Sequence, residues 1–97
     1  MKTLKEITSA IETLKPQLRE RFKLKTIGVF GSYVHGEQTP KSDVDVLVEF
    51  YEPIGLFEFM DLEFFLSDNL GVKVDLVSKK SLKPHIGKRI LEEVIIL

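Results

Sequence analysis

Two aspartates separated by one residue, Asp43 and Asp45, are the side chains of this chain best suited to chemistry. They lie in a segment, 42–50, where valines alternate with other residues, and side chains of a strand alternate between its two faces. Both carboxylates therefore point the same way, where they repel each other unless a proton or cation lies between them. Hard divalent cations such as Mg²⁺ take such oxygen ligands and share them with substrate phosphates. Taken alone, the motif favours an exposed polar strand face.

The turn before this strand strengthens the case for a site. A short apolar segment, 26–30, runs directly into Gly31 and Ser32. Glycine lets the backbone approach a ligand closely, and the serine hydroxyl and the following N–H groups can hold phosphate oxygens. Gly31 and Ser32 alone would indicate only a turn. Combined with the aspartate pair, they favour a metal-dependent site for a nucleoside triphosphate.

A third carboxylate, Asp75, lies in another alternating segment, 72–77. The apolar residues at its even positions share one face, and Asp75 lies on the other. If the apolar faces of both strands pack on helices, Asp75 shares an open face with Asp43 and Asp45. Taken alone, Asp75 is equally well explained as a surface residue.

The elements that must position these residues can be placed from periodicity and turn signals. Apolar residues at helical spacing predict a first helix from Leu4 to Phe22, which Pro16 is expected to kink or divide. Strands are predicted at about 25–30, 43–50 and 72–77. A second helix is predicted at about 55–69, and a last helix from near Pro84 to Leu97.

The connections between these elements predict the topology. Antiparallel pairing of the first two strands brings the turn at Gly31 close to Asp43, and a helical crossover makes the third strand parallel to the second. The expected fold class is α/β (α+β), a small mixed β-sheet flanked by helices on one face. One domain spanning residues 1–97 is expected, because a chain of 97 residues suffices for one modest core.

The order Gly31-Ser32, Ser42-Asp43-x-Asp45 and a later lone Asp75 resembles the signature of the DNA polymerase beta superfamily of nucleotidyltransferases. The length, the Val-Asp-Leu-Val strand and the Leu-Lys-Pro-His segment are similar to the minimal nucleotidyltransferases (MNT) of prokaryotes. The resemblance covers essentially the whole chain. Many MNT proteins are encoded beside a HEPN-domain toxin and act as its antitoxin. A polymerase-beta-type core without accessory domains is therefore implied.

This resemblance also implies roles for the residues. Asp43 and Asp45 would bind Mg²⁺, with two ions and ATP as the substrate. Asp75 would bind the catalytic ion beside the acceptor hydroxyl and help to deprotonate it. Gly31 and Ser32 would hold the β and γ phosphates. Ser42 is as readily a turn residue as a substrate contact.

The chain departs from the resemblance at His35, where such proteins often carry an arginine before the second glycine of the turn. A permanent phosphate-directed charge is therefore absent at neutral pH. His35 can donate a hydrogen bond to phosphate, or it can be an inert turn residue, and the sequence leaves both interpretations open. Because the carboxylates and Ser32 are retained, an active enzyme is expected.

The acceptor is expected to be a partner protein, because the chain has no second domain to present one. The resemblance implies transfer of AMP to a tyrosine of a HEPN-domain toxin. The alternative is a non-catalytic binding module that neutralises the toxin by contact alone. The second helix is apolar around more of its circumference than one sheet face can bury, which favours a homo- or hetero-oligomer. Packing within a small core would explain the same pattern.

Composition excludes several other classes of protein. The net charge of −1 argues against strong nucleic-acid binding, and the absence of cysteine excludes disulfides and thiolate metal sites. No apolar run is long enough to cross a membrane, and the N-terminus lacks a secretory signal. A cytoplasmic location is therefore expected.

Overall fold

The computed structural model describes residues 2–97 and contains a mixed sheet with helices on both of its faces. In chain order the elements are α1 (Leu4–Phe22), β1 (Leu24–Phe30), α2 (Ser32–His35), β2 (Val44–Phe50), α3 (Leu56–Leu70), β3 (Val74–Ser78), a 3-10 turn (Lys79–Ser81), α4 (Pro84–Glu93) and β4 (Ile95–Ile96).

The sheet has the strand order β3-β2-β1-β4. β1 and β2 are antiparallel, which places Phe30 opposite Asp45. β2 and β3 are parallel, which places Asp45 opposite Asp75. Both pairings confirm the predicted topology, and the mixed sheet with its helices confirms the predicted fold class. The start of β3 and the end of β1 therefore lie on either side of the start of β2.

The main core lies between the sheet and two helices, α1 and α3. The valines of β2 are fully buried there, together with Ile7 and Leu18 of α1 and Leu62 and Leu66 of α3. α1 begins at a capping box in which Thr3 Oγ1 accepts a hydrogen bond from the Glu6 N–H at 3.2 Å. These contacts fix one face of β2 and so direct its odd-numbered residues to the other face.

α1 runs unbroken through Pro16, so the predicted division of this helix is wrong. Proline removes a backbone donor and crowds the preceding turn. On either side of it, Leu14 and Leu18 are buried in the main core. We attribute the continuity of the helix to these flanking contacts, because burial of two leucine side chains, at about 1.5–3 kcal/mol each, offsets the roughly 3 kcal/mol that proline costs inside a helix.

The expectation that helices cover one face only is also wrong, because α4 packs on the face that carries the aspartates. Phe30, Leu47 and Ile90 form a second buried cluster on this face. Leu47 shares a strand face with Asp45, so this side of the sheet has an apolar part that needs cover as well as an acidic part. α4 covers the apolar part.

The last helix is shorter than predicted and ends at Glu93, after which β4 pairs with β1. β-Branched residues favour strands over helices, and the end of the chain consists largely of them. Gly28 allows the close approach of β4. A Cβ atom at this position would lie 2.7 Å from Val94 Cγ2 and 2.8 Å from the Ile95 carbonyl oxygen.

α3 also fixes β3 through two side chains. The Val74 N–H donates to Ser67 Oγ at 3.0 Å, and the Leu76 N–H donates to Glu63 Oε2 at 3.0 Å. These bonds flank Asp75 and hold its strand against both β2 and α3.

Apolar side chains of α3 are also exposed to solvent. Phe57 is 80% exposed and Phe64 is 61% exposed, and Leu56 and Met60 also lie in solvent. The apolar excess predicted for the second helix therefore divides between a buried side and an exposed side. Among residues 2–97, no helix combines the length and the apolar character needed to cross a bilayer.

The close approach of β4 to β1 generates a stability prediction. Gly28→Val should lower the free energy of unfolding by about 1–3 kcal/mol, because its side chain overpacks the contact with Val94 and Ile95. Lys25→Val is the matched control, since it places the same side chain at an exposed position of the same strand. Urea denaturation monitored by circular dichroism measures both variants. Equal stability of Gly28→Val and wild type would contradict a tight contact.

Candidate active site

Asp43, Asp45 and Asp75 lie at one end of the sheet, on the face that α4 partly covers. Asp45 and Asp75 are direct neighbours across the parallel pair, and Asp43 precedes Asp45 by two residues on the same face. Asp43 and Asp45 are partly buried, whereas Asp75 is exposed. The structure therefore brings together the three carboxylates that the sequence singled out.

Asp45 is the most perturbed of these carboxylates. Burial, the charges of Asp75, Asp43 and Glu93, and a hydrogen bond with Asp75 together raise its pKa to about 6, and burial is the largest of these causes. Each of these effects disfavours the ionised form. Without a metal, Asp45 therefore takes up a proton as the pH falls through about 6, and a bound cation would compete with that proton.

The donor chemistry of this cluster fits a hard divalent cation. The three carboxylates offer only oxygen atoms, which Mg²⁺ prefers, and their repulsion would be relieved by positive charge. Asp43 already has a cation nearby, with its Oδ2 atom 4.0 Å from Lys73 Nζ. Within residues 2–97, no three acidic or histidine side chains already enclose a metal-sized position. Asp43, Asp45 and Asp75 would therefore have to turn towards an ion to hold it.

Gly31 packs directly against Asp45. It has φ +80° and ψ −151° and precedes the single helical turn α2. A Cβ atom at Gly31 would lie 2.0 Å from Asp45 Oδ2, so no other residue fits without displacing the carboxylate. The backbone at this glycine therefore makes a close approach to Asp45, and its approach to a ligand stays a prediction. Ser32 follows as the first residue of α2 and is partly buried.

Ser42 stabilises the loop between α2 and β2. Its Oγ atom accepts a hydrogen bond from the Thr39 N–H at 2.8 Å, and its own N–H donates to the Thr39 carbonyl at 2.9 Å. These two bonds close a turn immediately before Asp43. Of the two roles open for Ser42, the turn role is visible in the structure, and phosphate contact stays a prediction.

Glu93, the last residue of α4, is a member of the site that sequence reasoning missed. One of its carboxylate oxygens, Oε1, accepts a hydrogen bond from the Gly31 N–H at 3.2 Å. The other, Oε2, pairs with His35 Nε2. The available signal was an acidic residue just before the β-branched run that ends the chain. Its meaning depended on the helix ending there and lying on the aspartate face.

The family described as "Nucleotidyltransferase domain" matches residues 11–97. The chain belongs to this family. The match includes all the site residues described above and confirms the assignment as a nucleotidyltransferase.

Relatives that match this chain along nearly its full length indicate which members of the family it resembles. The chain is 53% identical over 95 residues to the protein adenylyltransferase MntA of Thermococcus cleftensis, covering 98% of this chain and 96% of that protein. A solved structure of a candidate minimal nucleotidyltransferase is 34% identical, with a TM-score of 0.83, and the match covers 99% and 97% of the two chains. A toxin–antitoxin structure with AMP-PNP is 28% identical, with a TM-score of 0.76, over 91% of this chain and 69% of that one. The minimal nucleotidyltransferase resemblance is thereby confirmed.

The contact between Gly31 and Asp45 can be tested against a second glycine in the same turn. Gly31→Ala and Gly36→Ala both place a side chain at positive φ, which costs about 1 kcal/mol or more. Only Gly31→Ala also collides with a carboxylate, because nothing lies within 4 Å of a Cβ atom at Gly36. The free energy of unfolding from urea titrations should therefore fall further for Gly31→Ala. Backbone strain adds to this difference, because Gly31 lies in a region nearly restricted to glycine, whereas Gly36 lies in the left-handed helical region. Equal losses would contradict the close contact between Gly31 and Asp45.

The raised pKa of Asp45 predicts a pH-dependent stability in the absence of metal. The folded-state value of about 6 exceeds the ordinary 3.8, so between these values the folded protein holds a proton that the unfolded chain releases. The stabilisation of the folded state by this proton is fully present below about pH 3.8 and is lost as the pH rises through about 6. In EDTA, Asp45→Asn should therefore melt above wild type at pH 7.5, and the difference in Tm should shrink by pH 5.

The matched control for this prediction is Asp61→Asn, which neutralises an exposed carboxylate on α3. Its difference in Tm from wild type should change little over the same pH range. A constant difference for Asp45→Asn as well would contradict the raised pKa.

Proposed function

We propose that this chain is a Mg²⁺-dependent nucleotidyltransferase that moves AMP from ATP onto a hydroxyl group of a partner HEPN-domain toxin, and so acts as its antitoxin. The single observation that carries the proposal is the register of the sheet. It aligns Asp45 with Asp75 while Gly31 packs against Asp45, in a chain of the nucleotidyltransferase family. A tyrosine acceptor follows from the resemblance to MNT proteins.

The proposed chemistry is displacement at the α-phosphorus of ATP. The acceptor oxygen forms the new bond, pyrophosphate leaves, and the hydroxyl proton passes to Asp75 and then to solvent. Bound Mg²⁺ would supply charge neutralisation for the phosphates. Asp43 and Asp45 would hold the cation, and Asp45 is available for this above about pH 6, where it is ionised. Gly31 and Ser32 would hold the β and γ phosphates. Most of the work is positioning and electrostatic stabilisation, which a small domain can provide.

Relatives and surface both support a protein acceptor. The relative that is 53% identical is named a protein adenylyltransferase, and the toxin–antitoxin structure that is 28% identical contains an ATP analogue. The exposed side of α3, with Phe57 and Phe64, offers an apolar surface of the kind that protein partners cover. Because the described residues form a single small sheet domain, the acceptor site is proposed to be completed by the partner.

Neutralisation of the partner by binding alone is the second candidate. The observation that favours it is the pairing of His35 with Glu93, which engages the side chain at the position where MNT proteins often carry a phosphate-directed arginine. The raised pKa of Asp45 does not favour this alternative. Crowded carboxylates at one end of the sheet lower the stability of the fold, and a protein that acts only by contact would gain nothing from them.

The decisive experiment compares transfer of radiolabel from α-labelled ATP to the protein encoded by the neighbouring gene, which is the proposed HEPN-domain partner. Asp43→Ala and Asp45→Ala should reduce labelling by roughly 100-fold or more, because each removes a carboxylate assigned to the metal. Asp61→Ala and Asp68→Ala remove exposed carboxylates of α3 and should label as wild type. Circular dichroism confirms that each variant is folded.

Omission of Mg²⁺ or addition of EDTA should abolish labelling by wild type. Metal-independent labelling, or full labelling by the folded Asp43→Ala variant, would refute the assignment of the carboxylates. Absence of label from wild type, together with tight complex formation by wild type and both site variants, would establish the binding-only alternative.

A further inference from the structure

The Glu93 side chain contacts both ends of α2. Its Oε1 atom accepts from the N–H of Gly31, the residue that caps the start of this helical turn, at 3.2 Å. Its Oε2 atom pairs with the ring of His35, the last residue of the turn. One side chain therefore connects the beginning and the end of α2 to α4.

α2 needs such an external connection. It has only four residues, Ser32–His35, and its N-cap residue, Gly31, has no side chain that could accept a hydrogen bond from the turn. A helical turn this short is not stable by itself, because the cost of nucleating a helix exceeds the gain from one or two hydrogen bonds. Glu93 takes the part that a capping-box glutamate plays for the N-cap N–H, although it lies 62 residues away in sequence.

Glu93 is itself held on both sides by rigid structure. Three residues before it, Ile90 is buried against Phe30 and Leu47. Immediately after it, the Val94 N–H donates to the Ile90 carbonyl at 2.9 Å, and β4 then pairs with β1. The Glu93 side chain is only 27% exposed, so water screens its contacts less than those of a surface ion pair. Glu93 therefore fixes the two ends of the turn, while Tyr33 anchors its middle in the main core.

We propose that Glu93 is a positioning residue that holds the turn 31–35 in the conformation that keeps Gly31 against Asp45, with His35 as its partner. In this role His35 is neither an inert turn residue nor a direct phosphate ligand. The consequence for nucleotide binding rests on the function proposed above, because the same turn contains Gly31 and Ser32, which are assigned to the phosphates.

A carboxylate at this place could instead compete with phosphate for the donors of the turn. The contacts argue for positioning, because Glu93 engages the Gly31 N–H and the His35 ring. Neither belongs to the Ser32 hydroxyl or the N–H groups that follow it, which are the donors expected for phosphate oxygens. The two roles also predict opposite effects. Removal of a positioning residue weakens nucleotide binding, whereas removal of a competitor strengthens it.

The test uses the full chain with Glu93→Ala, Glu93→Gln and His35→Ala, and with Glu92→Ala as the matched control. Glu92 is the preceding residue of α4, carries the same charge and is exposed. The first measurement is amide hydrogen exchange by NMR without nucleotide or metal. Glu93→Ala should accelerate exchange at Gly31 about 10-fold or more, because a charge-assisted hydrogen bond is lost. Exchange at Leu97, which bonds to the Ile27 carbonyl, should not change.

The second measurement is the affinity for AMP-PNP with Mg²⁺ by titration calorimetry, together with KM and kcat for ATP in the labelling assay. Glu93→Ala should weaken AMP-PNP binding roughly 10- to 100-fold and raise KM more than it lowers kcat, in line with losses seen for other supporting carboxylates. His35→Ala should show a smaller loss in the same direction. Glu93→Gln keeps the shape of the side chain and can still accept a hydrogen bond from the Gly31 N–H. Exchange at Gly31 should therefore stay close to that of wild type.

Unchanged exchange at Gly31 in Glu93→Ala would overturn the positioning role. Tighter AMP-PNP binding by Glu93→Ala would overturn it in favour of competition with phosphate. If wild type binds no AMP-PNP, the nucleotidyltransferase function fails, while the exchange measurement still decides whether Glu93 holds the turn. If Glu93→Ala does not fold, His35→Ala carries the comparison through its smaller loss in the same direction, with Glu93→Gln as the variant that stays close to wild type.

Discussion

The repulsion between Asp45 and its neighbouring carboxylates is the interaction around which this molecule is arranged. A carboxylate that is partly buried beside Asp75 and Asp43 is unfavourable, and the rise in its pKa expresses that cost. The rest of the fold holds the group there. The main core fixes the valine face of β2, the parallel pairing with β3 aligns Asp75, and Gly31 closes the third side. A protein that needed only a stable sheet would gain from an apolar residue at this position.

The parts of the structure governed by local pattern could be predicted from the sequence. Alternation along 43–50 and 72–77 gave the faces of β2 and β3, and with them the grouping of the three aspartates. Turn residues and the length of the crossover gave antiparallel and parallel pairing. The same alternation also contained the position of α4, because Leu47 lies on the aspartate face and an apolar residue there needs cover. Alternation along β2 does not indicate, however, which helix covers Leu47.

The parts that escaped prediction depend on contacts between distant segments. Helical spacing continues past Glu93 in the sequence, and the β-branched residues there change to a strand because Gly28 lets Val94 and Ile95 approach β1. Pro16 indicated a break in α1 that core packing overrides. Glu93 and His35 are 58 residues apart, and nothing in either local segment indicates that they meet. Family resemblance identifies the turn and the carboxylates, but not the side chain that connects α4 to the turn.

The hydrogen bonds from Val74 and Leu76 to side chains of α3 affect how this protein can associate with other molecules. An outermost strand normally offers a row of free backbone groups to which an extended peptide, or another copy of the same sheet, can add. Here Ser67 and Glu63 already occupy two of those donors, and the opposite edge is a strand of only two residues. Growth of the sheet by strand addition is therefore disfavoured on both sides, which protects a small, apolar-rich domain from edge-to-edge aggregation. Association is left to side-chain surfaces, whose shape and polarity can distinguish one partner from another.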